Sequence, residues 1–236
     1  EALRKLHHSD RLSTVGRLAS GMAHELGTPL NVVVVNANLL RNEAGMSQLG
    51  TESVDAIHLA SDRMTKLVST LLAFSRRPNL AKAVVDLREI TRSTTGMLEA
   101  LAQSKGVSLV QSLPDEPMSC EADGLALSQA LANLVLNAID ASPRGSEVRL
   151  EGRVDAGQLH LAVRDHGPGV PADLRSAVFE PFFTTKDVGE GTGLGLSIAY
   201  EIATAHNGTI ELTVDESGSV FTLSLPRAGW ESGSAA

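Results

Sequence analysis

The sequence predicts an α+β fold in two parts. A helical hairpin occupies residues 1–78, an α/β sandwich follows over 79–228, and 229–236 form a flexible tail. Three observations carry this. The first 78 residues repeat apolar positions at spacings of three and four and end at Arg76-Arg77-Pro78, a helix stop. The remainder mixes helical periods with short alternating runs, the pattern of an antiparallel-leaning sheet with helices on one face. Aromatic residues are only 3% of a chain that is 42% hydrophobic, so the core must come from Leu, Val, Ile and Ala.

Taken in order, residues 1–45 read as a long helix whose stripe is Leu12, Val15, Leu18, Met22 and Leu26. Residues 45–51, with Gly45 and Gly50, read as a turn. Residues 52–76 are helical again, with Val54, Ile57, Met64, Leu67, Leu71 and Phe74 on one side. Two helices alone bury little, so the hairpin is expected to pair with a second copy as a four-helix bundle. Beyond Pro78, residues 86–104 read as a helix, Val107–Leu113 as a strand and Leu125–Ala141 as an apolar-periodic helix. Val148–Leu150 and Leu159–Val163 read as paired strands. Residues 164–195 are rich in Gly, Pro and Thr, and an irregular stretch that long is usually functional. Leu196–His206 reads as a helix, and Thr209–Val214 with Val220–Leu225 as a hairpin.

Composition removes several classes of function. With 20 Lys and Arg against 28 Asp and Glu, the net charge is −8, which argues against a general nucleic-acid binder. Cys120 is the only cysteine, so no intrachain disulfide forms and a Cys-based zinc site is not expected. No apolar run approaches the roughly 20 residues that span a bilayer, and no basic-then-apolar leader is present, so no direct membrane contact is expected of this segment. The opening EALRKLHHSDRL has a mid-helix pattern, as expected of a piece of a longer protein, membrane-anchored or not.

The informative stretch of the hairpin is His24-Glu25-Leu26-Gly27-Thr28-Pro29-Leu30. At 100° per residue His24 lies about 200° from Met22, away from the apolar stripe. An exposed imidazole is a usable nucleophile at neutral pH. Glu25 adjoins it and can hold or deprotonate the ring, and Thr28, at i+4, shares its face. Pro29 lacks the N–H that the Glu25 carbonyl would accept, so the helix should bend just after His24. A lone exposed histidine is most often an ordinary surface residue; the company of Glu25, Thr28 and Pro29 sets this one apart from the other six.

Four segments of the second part share a chemistry. Asn133 and Asn137 stand at i, i+4, so both amides face one side of their helix and can ligate or orient a hard cation. Asp165-His166-Gly167-Pro168-Gly169 places a carboxylate at a strand end, beside glycines that let the backbone approach a flat base. Phe179-Glu180-Pro181-Phe182-Phe183-Thr184-Thr185-Lys186 suggests a flap with a cationic end for phosphate. Gly191-Thr192-Gly193-Leu194-Gly195 opens a helix, where free N–H groups and the dipole favour phosphate. Each motif alone is weak and is also read as a turn, a pinned loop or a solvated polar stripe.

In this order the five segments resemble the boxes of sensor histidine kinases, over nearly the whole chain. His24–Leu30 resembles the H box of the dimerisation and phosphotransfer domain. The Asn133/Asn137 helix, Asp165–Gly169, Phe179–Phe183 and Gly191–Gly195 resemble the N, G1, F and G2 boxes of the ATP-binding fold shared with gyrase and Hsp90. The resemblance implies an α/β-sandwich ATP-binding domain and autophosphorylation of His24, with Glu25 as base or orienting partner. It implies Mg²⁺ on Asn137, with Asn133 in support, and Asp165 on the adenine amino group. Lys186 and the backbone from Gly191 through Thr192, Gly193 and Leu194 to Gly195 would contact phosphates. The phosphoryl group would pass to an aspartate in the receiver domain of a response regulator, which Thr28 would help to dephosphorylate. Catalysis would need the second domain to swing onto His24 about a joint at Arg76–Leu80, in the cytoplasm, where ATP is. Two positions depart from the pattern: Gly27, where a polar or basic residue is common, and Asp140, where relatives carry Lys or Arg.

Two rivals stand beside this reading. One is an ATPase of the gyrase kind, which needs a water-activating Glu where this chain has Asn133. The other is a degenerate, non-enzymatic dimer that binds nucleotide as a scaffold.

Overall fold

The computed structural model describes residues 30–40, 47–75, 82–155, 157–186 and 192–229, and within 61–75 the side chains of Ser61 and Met64 alone. It divides into two compact units: residues 1–77 with Thr185–Leu194, and Pro78–Thr184 with Gly195–Ala236.

In the first unit α1 covers 30–40 and α2 covers Gln48–Ser75. Leu30, Ala37, Val54 and Ser61 are buried. The turn expected over 45–51 is shorter at its end, because Gln48–Thr51 are already helical. The physical reason is Ser47. Its carbonyl accepts from the Thr51 N–H (3.0 Å) and its Oγ from the Gly50 N–H (3.2 Å), so an N-cap takes up donors that would otherwise leave Gly50 in the turn.

The second unit is an α/β sandwich. Its elements are β1 (Ala83–Asp86), α3 (Leu87–Lys105), β2 (Ser108–Ser112), β3 (Ser119–Ala122), α4 (Gly124–Ala141), β4 (Glu147–Asp155), β5 (Gln158–Arg164), α5 (Gly195–Ala205), β6 (Thr209–Asp215) and β7 (Gly218–Pro226). A single 3-10 turn covers Ala177–Phe179. The main sheet runs β2-β4-β5-β7-β6. It is antiparallel except for β2, which pairs parallel with β4 in the register Ser108↔Glu147. A small second sheet pairs β1 antiparallel with β3, Ala83↔Ala122. Alternation along β5 buries Leu159, Leu161 and Val163, and along β7 Phe221, Leu223 and Leu225, beneath the apolar face of α4 (Leu127, Leu131, Leu134) and of α5 (Ile198, Ala199, Ile202).

Local chemistry fixes the helix ends. Asp86 caps α3 by accepting from the Arg88 N–H, and Gly106 ends it in left-handed backbone (φ +75°). Asp123 caps α4 with Oδ1 on the Leu125 and Ala126 N–H groups, both at 3.0 Å. Asn207 (φ +58°) follows the end of α5, where the Gly208 N–H donates to the Ala203 carbonyl. The Arg88 guanidinium grips both oxygens of Asp86 and the carbonyl of Asp115, tying the loop before β3 to the start of α3.

Candidate functional site

Asp165 follows directly on β5, the central strand, and is 1% exposed. Its Oδ1 accepts from the Gly167 N–H (2.9 Å) and the Ser219 N–H (3.1 Å), while its own N–H donates to the Ser219 carbonyl (2.9 Å). The carboxylate is thereby aimed by backbone on two sides, with Oδ2 left to accept from a ligand. The backbone here is tight. A Cβ on Gly218 would lie 2.2 Å from the Asp165 carbonyl oxygen in backbone of φ +143°, so only glycine fits. A Cβ on Gly167 would lie 2.7 Å from the Ala141 carbonyl. Gly169 is left-handed (φ +74°), with Val214 against it.

The second wall is α4. The packed face of this helix leaves Asn133 and Asn137 half-buried on another side. The Asn133 Nδ2 is buried with no hydrogen-bond partner. Opposite it stands Gly195, first residue of α5, whose added Cβ would meet Asn133 Cβ, Cγ and Oδ1 at 3.8–3.9 Å. The first N–H groups of a helix have no intrahelical acceptor. An orphan amide and a side-chain-free helix start therefore face one another, a lining suited to oxygen-rich anions and a hard cation. Asp140 forms an ion pair with Lys105.

The flap aromatics divide the work. Phe179 is a core anchor, with its ring 5.5 Å from Tyr200 and 6.2 Å from Phe221. Phe182 is 52% exposed and left-handed (φ +67°), an uncommon state for a bulky residue. In the Thr185–Leu194 segment Lys186 is half-buried, Gly193 is left-handed (φ +65°), and the Leu194 N–H donates to Thr192 Oγ1 (3.3 Å). His24, Glu25, Thr28 and Gly191 lie outside the described residues.

The structure thus brings Asp165, Gly167 and Gly169 together at the strand ends, and Asn133, midway along α4, against Gly195 at the start of α5. Sequence reasoning missed Gly218 and Ser219, which build the back of the Asp165 pocket with main-chain atoms. The one available signal was a glycine two residues before the strand read over Val220–Leu225. Burial pushes the Cys120 thiol up to about 11, with the Asp86 charge as a lesser cause, so the only cysteine is no nucleophile at neutral pH. Burial also raises Glu201 on α5 above the usual carboxylate range. Among the described residues no cluster of His, Cys, Asp or Glu could hold a metal, so a cation would need amide and ligand oxygens.

Two family models match. The histidine kinase-, DNA gyrase B- and HSP90-like ATPase family covers 122–229, and the His Kinase A (phospho-acceptor) domain covers 14–80. The sensor kinase CckA of Brucella abortus is 34% identical over 94% of this chain and 25% of its own length. Among solved structures, the catalytic domain of histidine kinase ThkA is 31% identical and superposes with a TM-score of 0.58 over 62% of this chain and 95% of that one. The chain belongs to the histidine kinases. Full-length ShkA in complex with AMPPNP is 28% identical, with a TM-score of 0.76 over 90% of this chain and 46% of that one. ThkA in complex with response regulator protein TrrA is 25% identical, with a TM-score of 0.69 over 94% and 64%. The chain spans a quarter of the length of CckA and under half of ShkA.

Proposed function

We propose that this histidine kinase chain transfers the γ-phosphoryl group of ATP to His24 and then to an aspartate of a response-regulator receiver domain. The observation that carries the reading is Asp165, buried, aimed by Gly167 and Ser219, and holding Oδ2 ready for the exocyclic amino group of adenine. The glycines at 167 and 169 let the base approach. Asn137 would ligate Mg²⁺ through its amide oxygen, and the orphan amide of Asn133 would support the same metal–phosphate group. A bound Mg²⁺ would neutralise phosphate charge. Lys186 and the main chain of Gly191, Thr192, Gly193, Leu194 and Gly195 would hold the phosphates, with Phe182 in the flap. His24 forms the new N–P bond as the bond to the ADP oxygen breaks, Glu25 orients its ring, and Thr28 positions water when the regulator is dephosphorylated.

The AMPPNP bound by ShkA and the response regulator held by ThkA support this chemistry. Asn133 stands where a gyrase-type ATPase needs a carboxylate base, which disfavours simple hydrolysis. The domain division of 1–78, 79–228 and a tail over 229–236 belongs to the same proposal, as does a homodimer through the hairpin. The exposed Val32, Val35, Leu39 and Leu49 support pairing. No described helix is long and apolar enough to cross a membrane, and we place the chemistry in the cytoplasm.

Incubation with γ-labelled ATP and Mg²⁺ tests the reading. An acid-labile, alkali-stable label is expected on the native chain and absent from His24→Gln. Label on both variants would move the acceptor elsewhere. Nucleotide binding without label would favour a scaffold, and steady phosphate release from His24→Ala would favour an ATPase.

A further inference from the structure

His206 is 3% exposed, and both of its ring nitrogens are engaged. Its Nδ1 lies 2.7 Å from the Ile202 carbonyl, which can only accept, so Nδ1 carries the proton and donates. Its Nε2 lies 2.9 Å from the Asp123 backbone nitrogen, which can only donate, so Nε2 accepts. The two contacts together fix the neutral ring in one tautomer. A protonated imidazole cannot keep both.

The position of this ring gives the bond its consequence. Asp123 is the N-cap of α4, and His206 follows the last residue of α5. Gly195, at the start of α5, stands beside Asn133, midway along α4, so the two helices run antiparallel. The imidazole therefore pins the end of α5 that lies opposite the Asn133–Gly195 wall. With 11 residues, α5 is a rod of about 16 Å, and a tilt at the pinned end reaches its N-terminus. The Asp165 carboxylate, by contrast, is held by Gly167 and Ser219 and does not depend on α5.

Protons have a route to the ring. A cleft of about 170 Å³ is lined by His206 together with Lys82, Cys120, Glu121 and Arg227. These and Asp123 are the charged and titratable groups about it. Lys82 donates to the Ala205 carbonyl (3.3 Å), Arg227 faces Glu116 (3.6 Å), and the Asp123 Oδ1 is occupied by two helix N–H groups. A proton arriving at Nε2 meets the Asp123 N–H and breaks the pin.

We propose that His206 is a positioning residue that holds α5 in register with α4 only while neutral. Protonation weakens binding of phosphate-bearing nucleotides and spares recognition of the adenine ring. The inference rests on the nucleotide reading above.

The test compares ATP and adenosine affinities of the native chain and His206→Gln at about pH 8 and about pH 5.5. Glutamine can accept the Asp123 N–H and does not titrate, and the native-to-variant ratio cancels the titration of ATP itself. The ratio for ATP is expected to worsen about tenfold at the acid end, the size of one lost buried hydrogen bond, while the ratio for adenosine stays flat. A flat ratio for both ligands, or parallel loss of both, overturns the proposal. A native chain that binds neither ligand at the alkaline end overturns the nucleotide reading instead. The Asp123 amide resonance of the native chain without nucleotide supplies a test that needs no variant. A shift of that resonance at the acid end is expected, and a constant resonance overturns the proposed switch.

Discussion

The two units treat apolar surface differently. In the α/β unit Leu127, Leu131, Leu134, Leu150, Leu159, Leu161, Leu223 and Phe221 are sealed between sheet and helices. In the helical unit Leu39 is 66% exposed and Leu49 73%, while the described core is little more than Leu30, Ala37 and Val54. A sheet covered by helices closes its own core. A two-helix hairpin has one seam and leaves its remaining apolar faces for a second surface. The α/β unit is built to fold alone, and the helical unit leaves apolar surface that the proposed homodimer would cover.

The largest effect should come from Gly218→Val. It places a branched side chain 2.2 Å from the Asp165 carbonyl in left-handed backbone, and a loss above about 4 kcal/mol is expected. Thermal melting should show the α/β transition lost while the helical one stays; a native-like melt would break the comparison. Leu161→Ala should cost about 2–5 kcal/mol by leaving a cavity in the central strand, independent of protein concentration. Leu39→Ala sharpens the contrast. Its melting penalty should depend on protein concentration, and sedimentation should show a looser dimer, because the proposed homodimer would cover the exposed surface it removes.

Asp86→Ala should cost about 1–2 kcal/mol as a lost N-cap. It carries a pH signature as well. The Arg88 side chain holds the Asp86 carboxyl below its ordinary range, with further backbone donors helping. A carboxylate with a depressed folded pKa stabilises fully above about pH 4, its unfolded value, and loses that contribution as pH falls through the folded one. The acid limb of the melting curve should therefore flatten in Asp86→Ala. The smallest effect belongs to Leu125→Gln. This leucine is 84% exposed in the self-sufficient unit, and its replacement should stay within about 0.5 kcal/mol.

Much of the α/β unit was legible in the sequence because its periods are strong. The helix read over 125–141 begins at Gly124, and the helix read over 196–206 is displaced by one residue. The β1–β3 pair was not legible. Four residues carry too little alternation, and Ala83–Asp86 finds its partner more than thirty positions away. The parallel pairing of β2 with β4 was hidden for another reason. Apolar alternation says which face is buried and nothing about which neighbour a strand takes. In the candidate site, Asp165 was legible through the company of the other segments, since a carboxylate among glycines alone also reads as a turn. Gly218 and Ser219 were not, because what they contribute is a missing Cβ and a main-chain N–H. His206 looked like a helix end, which it is. Only the fold shows that its ring reaches Asp123.

Asp165 extends the middle strand of the sheet, whose ladders run to β4 on one side and β7 on the other. Amide exchange should divide the site accordingly. The N–H groups of Leu161 and Val163 open only when the whole unit unfolds, and those of the irregular 180–186 stretch open by local fluctuation. The carboxylate that would read the base therefore sits beside a slow-opening strand of the α/β unit, and the 180–186 stretch opens faster. In the proposed reaction, departure of a spent nucleotide would then be timed by small openings of the 180–186 stretch, while the Asp165 site would not have to be rebuilt.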